Sequence, residues 1–324
     1  MSGKVVLVTG VSDSFATLVA RSLAEDPTVA RVVGVDTVLP EGSLGGVKFV
    51  RADIRTPVIA KVMAVEDIDT VVHLSLHPQM RGHGGGKELN VIGTMQLLAA
   101  CQRSPMVRKL VLGSSTAVYG SSPCDPAMFR ESSSARGGVK TGFPKDIVEV
   151  ESYTRGFARR RPDVLITTLR AAHFLDAEHF SPIGQYFRSA VLPAALGFDP
   201  RLQFVSVPDL RDVLVEAVAH DRPGTFNVAG DGVALLSQIA RRLGRPVVPL
   251  PPVGFAGAAR RVLRAVGSDI TPDLHRLLTY GRAVDTTALR DIFGFELSQT
   301  TEEVVEQFRA SVRPGVLSIV GGRS

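Results

Sequence analysis

Tryptophan is absent from this 324-residue chain, which carries only four tyrosines and two cysteines. Cys101 and Cys124 stand 23 residues apart, with no CxxC spacing and no Cys/His cluster around them. That excludes a disulfide framework, predicts no metal site, and suits a reducing, cytoplasmic setting. No apolar run approaches the roughly 18–20 residues that a spanning helix needs, so no membrane partner is expected. The apolar start, Val5 to Val8, is too short for a secretory signal and runs directly into Thr9-Gly10. Nor is charge of one sign massed anywhere. The 37 basic and 32 acidic residues leave a net +5, scattered along the chain. Arg159-Arg160-Arg161, Arg241-Arg242 and Arg260-Arg261 read as solvated helix faces or ends, and no nucleic-acid partner is expected. What remains is ordinary globular usage, 44% hydrophobic and 21% charged, which buries a sizeable core and rules out a disordered chain.

Strand and helix signals alternate through the first half. Short β-branched runs at Lys4 to Val8, Val32 to Val35, Lys48 to Ala52, Thr70 to Leu74, Lys109 to Leu112 and Val164 to Leu169 predict buried strands. Between them, 14–25, 88–102 and 145–158 carry apolar residues at helical spacing, as Phe15, Leu18, Val19 and Leu23 show. Strands separated by such helices predict an α/β chain with a Rossmann-type doubly wound parallel sheet. After about residue 175 prolines punctuate the pattern, and Pro246 to Pro252 reads as a connection. Helices return near 209–219, 234–243, 271–279 and 301–310. The expected organisation is a dinucleotide-binding lobe over 1–175 with returning segments later, a smaller interleaved lobe over 176–315, and a flexible tail over 316–324.

The turn from the first strand into the first helix, Val8 to Ala16, is where a Rossmann unit cradles phosphate. Gly10 matches the first glycine of the fingerprint. The second position holds Asp13 and the third Ala16, with Ser12 between. Asp13 puts a carboxylate near the pyrophosphate position; equally, it reads as an N-cap or first-turn acid. Asp36 ends the second strand 26 residues after Gly10, where an acid bonds ribose hydroxyls and favours NAD over NADP. It reads as well as a turn residue. Asp53-Ile54 follows the third strand, within reach of an adenine or simply starting a turn.

These stretches together resemble the extended short-chain dehydrogenase/reductases, the NAD-dependent epimerase/dehydratase group. Val8-Thr9-Gly10 is similar to its TGxxGxxG start, Asp53-Ile54 to its adenine contact, and Val72-His73-Leu74-Ser75 to its HLAA segment. Asn90-Val91-Ile92-Gly93-Thr94 resembles NVxGT, and Ser114 to Gly120 resembles SSxxVYG. Phe226 to Gly230 and Val284 to Thr287 are similar to YNVGG and LDTSK. The resemblance implies NAD as cofactor, with Gly10, Ser12, Asp13, Asp36, Asp53, Ile54, Ser75 and Lys145 in its binding site. It further implies a polar small-molecule substrate, such as a nucleotide sugar or natural product, bound between the lobes. Family members often dimerise through two helices, here those near 88–102 and 145–158.

In that family a Tyr-x-x-x-Lys pair and a hydroxyl residue move the proton. Ser115 matches the hydroxyl residue and Lys145 the lysine, with Glu149 completing KxxxE. Four residues before Lys145 stands Thr141, not tyrosine. A threonine hydroxyl cannot replace a phenol of pKa about 10 as a proton donor near neutrality. Tyr119 belongs to the VYG segment and reads as structural. His77, His173 and His179 are the substitutes to consider, His77 and His173 because both follow carboxyl ends of strands, where they would titrate near neutral pH. Asp176 stands close enough in sequence to orient such a site. Arg81 and His83, in the Gly-rich stretch 77–86, read as a surface loop or an anion-recognition loop. His73 reads as a core histidine. The departures at Asp13 and Thr141 leave open a non-redox cyclase or isomerase, or a nucleotide-sensing protein without turnover.

Overall fold

The computed structural model describes residues 3–76, 87–133, 141–251 and 271–315. In the first half the strand-helix alternation yields β1 (Lys4–Thr9), α1 (Ser14–Glu25), β2 (Val29–Asp36), β3 (Lys48–Arg51) and α2 (Val58–Val65). There follow β4 (Thr70–His73), α3 (Gly93–Arg103), β5 (Lys109–Ser115), α4 (Gly142–Arg160) and β6 (Leu165–Ala171). A single π-turn, Glu88–Ile92, leads into α3. Beyond lie β7 (His173–Phe174), α5 (Pro182–Arg188), β8 (Leu192–Ala195), β9 (Arg201–Leu202), β10 (Phe204–Val205) and α6 (Val207–Ala219). The chain then forms β11 (Gly224–Val228), β12 (Ala234–Leu235), α7 (Leu236–Arg242), β13 (Val247–Leu250), α8 (Pro272–Tyr280) and α9 (Thr301–Ser311).

Seven strands form one sheet in the order β11-β6-β5-β4-β1-β2-β3. β1 pairs in parallel with both β2 and β4, so the strand order reverses on either side of it. That reversal opens a crevice at the carboxyl ends of β1 and β4, the usual ligand position in a doubly wound sheet. Because each central strand is covered on both faces, the last four residues of β1 and all four of β4 are buried without alternation. α1 buries Ala16, Val19, Ala20 and Leu23, the i, i+3, i+4, i+7 stripe of a helix lying on a sheet.

The chain divides into two compact units: Met1–Val118 with Lys140–Arg170 and Leu210–Phe226, and Tyr119–Val139 with Ala171–Asp209 and Asn227–Ser324. The first is built on Leu7, Val33, Val71, Leu97, Leu110 and Phe157, the second on Tyr186, Phe187, Phe204, Leu278 and Phe308. Residues 119–139, placed by sequence in the first lobe, belong to the second unit. Tyr119 Oη donates to Asn227 Oδ1 at 2.7 Å, and the Phe129 N–H donates to the Ala283 carbonyl at 2.9 Å. The stretch read as a connection contains β13, which pairs in parallel with β8 from Val247↔Leu192 to Leu250↔Ala195. Prolines are tolerated there because a two-stranded ribbon consists only of edges.

Basic side chains inside the first unit serve helix ends. Lys109 is only 5% exposed; its Nζ donates to the Ala217, Val218 and His220 carbonyls at 3.3, 3.1 and 2.7 Å and pairs with Asp221 at 2.8 Å. Burial lowers its pKa, the Asp221 partner opposing that shift. Arg161, expected on a solvated helix face or end, is the C-cap of α4, and it donates to the Cys101 and Gln102 carbonyls in the last turn of α3 and to those of Ser104 and Val107 beyond it. Both arrangements satisfy terminal carbonyls that a helix leaves without partners. Lys109→Met should therefore lower stability by about 2 kcal/mol or more in urea unfolding, because buried acceptors lose their donor. A loss below about 0.5 kcal/mol would mean that water takes over the cap.

Candidate nucleotide crevice and catalytic positions

The crevice begins where β1 ends. Gly10 has φ +85°, and a Cβ there would lie 2.9 Å from Ser75 Oγ and 3.1 Å from the Ser75 backbone. Only glycine gives both that backbone and that approach. The Gly10 N–H donates to the Val35 carbonyl at 3.0 Å, tying the loop to β2. Asp13 is the N-cap of α1, its Oδ1 accepting from the Phe15 and Ala16 N–H groups at 2.9 and 3.3 Å. Asp36, at the end of β2, accepts from the Ser12 N–H at 3.0 Å, from Ser12 Oγ at 2.7 Å and from the Thr37 N–H at 2.6 Å. Asp53 faces Arg55 in a fork, with Nε 3.0 Å from both its oxygens and Nη2 at 2.7 Å, which lowers its pKa. Ile54 is buried, and a Cβ on Gly93 would press on its Cδ1 at 2.8 Å.

A buried line of hydrogen bonds runs from this loop to α4. His73 Nδ1 lies 2.8 Å from Thr9 Oγ1, and its Nε2 lies 2.8 Å from Thr94 Oγ1. Thr94 donates to the Asn90 carbonyl at 2.5 Å, and Asn90 Nδ2 donates to Asp146 Oδ2 at 3.0 Å. Thr9, His73, Asn90, Thr94 and Asp146 are each 2% exposed or less. Burial raises the Asp146 pKa, the Asn90 bond pulling it back. Sequence reasoning missed Asp146; its signal was a carboxylate on the buried side of α4, beside Ile147 and Val150.

The three candidate catalytic residues take different positions. Ser115 closes β5, half-buried, its Oγ accepting from the Ala117 N–H at 3.1 Å. Thr141 is the N-cap of α4, exposed, with no side-chain capping bond. Lys145 is 44% exposed and faces Glu149 at 3.7 Å, one turn along the same helix. Among the described residues no hydrogen bond or ion pair joins these three. Under them lies a second feature that sequence reasoning missed. Ser114 Oγ donates to Glu151 Oε1 at 2.7 Å, while Arg170 Nε and Nη2 donate to the two Glu151 oxygens at 2.9 and 2.6 Å. This buried cluster fastens α4 to β5 and β6. It thereby fixes the strand end that carries Ser115.

The model of the NAD dependent epimerase/dehydratase family matches residues 6–229. The chain belongs to this family. It is 41% identical over 314 residues to an uncharacterized protein of Mycobacterium tuberculosis, covering 94% of this chain and 83% of that one. Its fold is similar to dTDP-glucose 4,6-dehydratase of Bacillus anthracis in complex with NAD, with TM-score 0.72, 14% identity, and 95% and 96% of the two chains covered. It is similar also to UDP-glucuronic acid 4-epimerase of Bacillus cereus in complex with UDP-glucuronic acid and NAD, at TM-score 0.70, 17% identity, and 95% and 98% coverage.

In this epimerase/dehydratase family member the histidines offered as substitute acid/base groups fare unequally. His77, Arg81 and His83 lie outside the described residues. His179 and Asp176 belong to one local turn: Asp176 Oδ1 accepts from the Glu178 and His179 N–H groups at 2.7 Å each and lies 2.8 Å from His179 Nδ1. His173 does not titrate near neutrality. Its Nε2 is sealed from solvent and has no hydrogen-bond partner among the described residues. Burial, with Arg282 adding positive charge, depresses its pKa to about 3. Since the unfolded chain takes up that proton near pH 6.5 and the folded chain only near pH 3, stability falls as pH drops through this window. His173→Gln should flatten the stability-against-pH curve between those limits by up to about 1.4 kcal/mol per pH unit, the value for one proton. Urea titrations at pH 7, 6 and 5 test this, and parallel curves for variant and wild type would refute it.

Proposed function

We propose that this family member binds NAD in the crevice at the carboxyl end of β1. There it acts as an epimerase/dehydratase- or oxidoreductase-like enzyme on a polar small molecule, such as a nucleotide sugar. The observation that carries the reading is the pairing of a bare Gly10 with the Asp36 carboxylate across the same loop. Gly10, with φ +85°, makes the tight turn that ties the start of α1 to the end of β2, where Asp36 stands. Asp36 Oδ1 accepts from the Thr37 N–H at 2.6 Å and only at 3.4 Å from Thr37 Oγ1, a long bond that a ribose hydroxyl displaces. NAD when bound supplies hydride transfer.

The chain's own groups take the other roles. Ser115 Oγ donates to a substrate oxygen, since the Ala117 N–H uses only one of its lone pairs. Lys145, held loosely by Glu149, supplies a mobile cation. Thr141 stands where the family tyrosine would, at the exposed start of α4. Its hydroxyl orients by hydrogen bonding and does not ionise near neutrality. A non-redox or ligand-sensing role is favoured by a different observation, the Asp13 carboxylate on the first turn of α1.

NAD titration by calorimetry, with Asp36→Arg beside the wild type, separates these readings. The variant should lose at least tenfold in affinity for NAD, about 1.4 kcal/mol, from the lost charge-assisted bond to ribose. Equal affinity in the two proteins would overturn Asp36 as the ribose contact, and absence of NAD binding in the wild type would leave the non-redox or sensing role.

A further inference from the structure

In a dinucleotide-binding loop the backbone N–H groups at the start of the first helix turn to the pyrophosphate. Here several of those groups already have acceptors inside the chain. The Phe15 and Ala16 N–H groups point to Asp13 Oδ1 at 2.9 and 3.3 Å. Ser12 directs both its N–H and its hydroxyl to Asp36 Oδ2, at 3.0 and 2.7 Å. The Asp13 N–H donates to the Gly10 carbonyl, and the Thr17 N–H to the Asp13 carbonyl. Two carboxylates thus close on one loop, and among the described residues no lysine, arginine or histidine pairs with either. A pyrophosphate arriving there meets the Phe15 and Ala16 N–H groups already taken, and two like charges.

We infer that Asp13 sets the affinity of this crevice for dinucleotides. A pyrophosphate must displace the Asp13 carboxylate from the first turn of α1 before it can use the Phe15 and Ala16 N–H groups. The penalty falls on the phosphates alone, so an adenosine without them binds as though Asp13 were neutral. The inference rests on the NAD reading of the crevice. Asp13→Ser distinguishes charge from capping, because serine caps a helix about as well as aspartate and carries no charge. Asp13→Gly supplies the residue of the phosphate-binding fingerprint.

The test is calorimetry of wild type, Asp13→Ser and Asp13→Gly in the full chain, each titrated with NAD and with adenosine. Both variants should bind NAD at least tenfold more tightly than wild type, with adenosine affinity unchanged within twofold. NAD affinities that match across the three proteins overturn the inference, as does an equal gain for adenosine. Wild type binding NAD with an affinity that Asp36→Arg abolishes and Asp13→Ser leaves unaltered defeats the inference while keeping the NAD reading. Conversely, NAD binding by the variants alone supports Asp13 as the determinant and shows that the native chain does not use this cofactor.

Discussion

Thr9 Oγ1 accepts from the N–H groups of Leu74 and Ser75, and the buried line behind the crevice depends on where its own proton then goes. It goes to His73 Nδ1, which leaves Nε2 as the protonated nitrogen and directs that N–H to Thr94. Thr94 Oγ1 donates to the Asn90 carbonyl, and Asn90 Nδ2 donates to Asp146. Donors therefore point one way from the end of β1 to the start of α4. Each member is buried, so leaving any one unpaired costs the full desolvation of its partner. The line fixes the orientation of the His73 ring and joins the strand that ends at Gly10 to the helix that presents Thr141 and Lys145.

The same accounting explains the charge of the chain. A net +5 suggests an anionic partner, yet the best-buried cations are spent internally. Lys109 and Arg161 close helix ends, and Lys4 Nζ donates to the Ala219 carbonyl at 2.5 Å. Arg170 is consumed by Glu151, a pair whose disruption leaves a buried carboxylate uncompensated. In the second unit Arg282 donates to the Gly120 carbonyl and Ser121 Oγ and pairs with Asp273. Counting basic residues thus says little about partners until their carbonyl acceptors are known.

Periodicity made the sheet legible. The spacing gives α1 its limits of 14–25, although its buried stripe is Ala16, Val19, Ala20 and Leu23 rather than one through Phe15 and Leu18. α2 was missed because Val58–Val65 is apolar nearly all round and offers no helical contrast. β13 was missed because prolines mask an edge strand. Thr9, His73, Asn90 and Thr94 were each visible within short motifs. Their connection was not, since the bonds span 64, 21 and 56 positions along the chain. His173 illustrates a different gap: its place after a strand was readable, while its burial was a tertiary fact.

Asp13 shows how stability and ligand affinity compete for the same atoms. A helix start without a side-chain acceptor leaves its first N–H groups to water or to a ligand. An N-cap aspartate satisfies them at once and contributes about 1 kcal/mol to the helix. α1 has no acidic residue in its first turn, so Asp13 is also the negative charge that meets the helix dipole there. A glycine in its place would give up that contribution in the free protein and leave the N–H groups to the pyrophosphate. The present loop takes the opposite course. The Phe15 and Ala16 N–H groups of its α1 are satisfied by the chain itself, so a ligand that used them would undo part of what stabilises the fold.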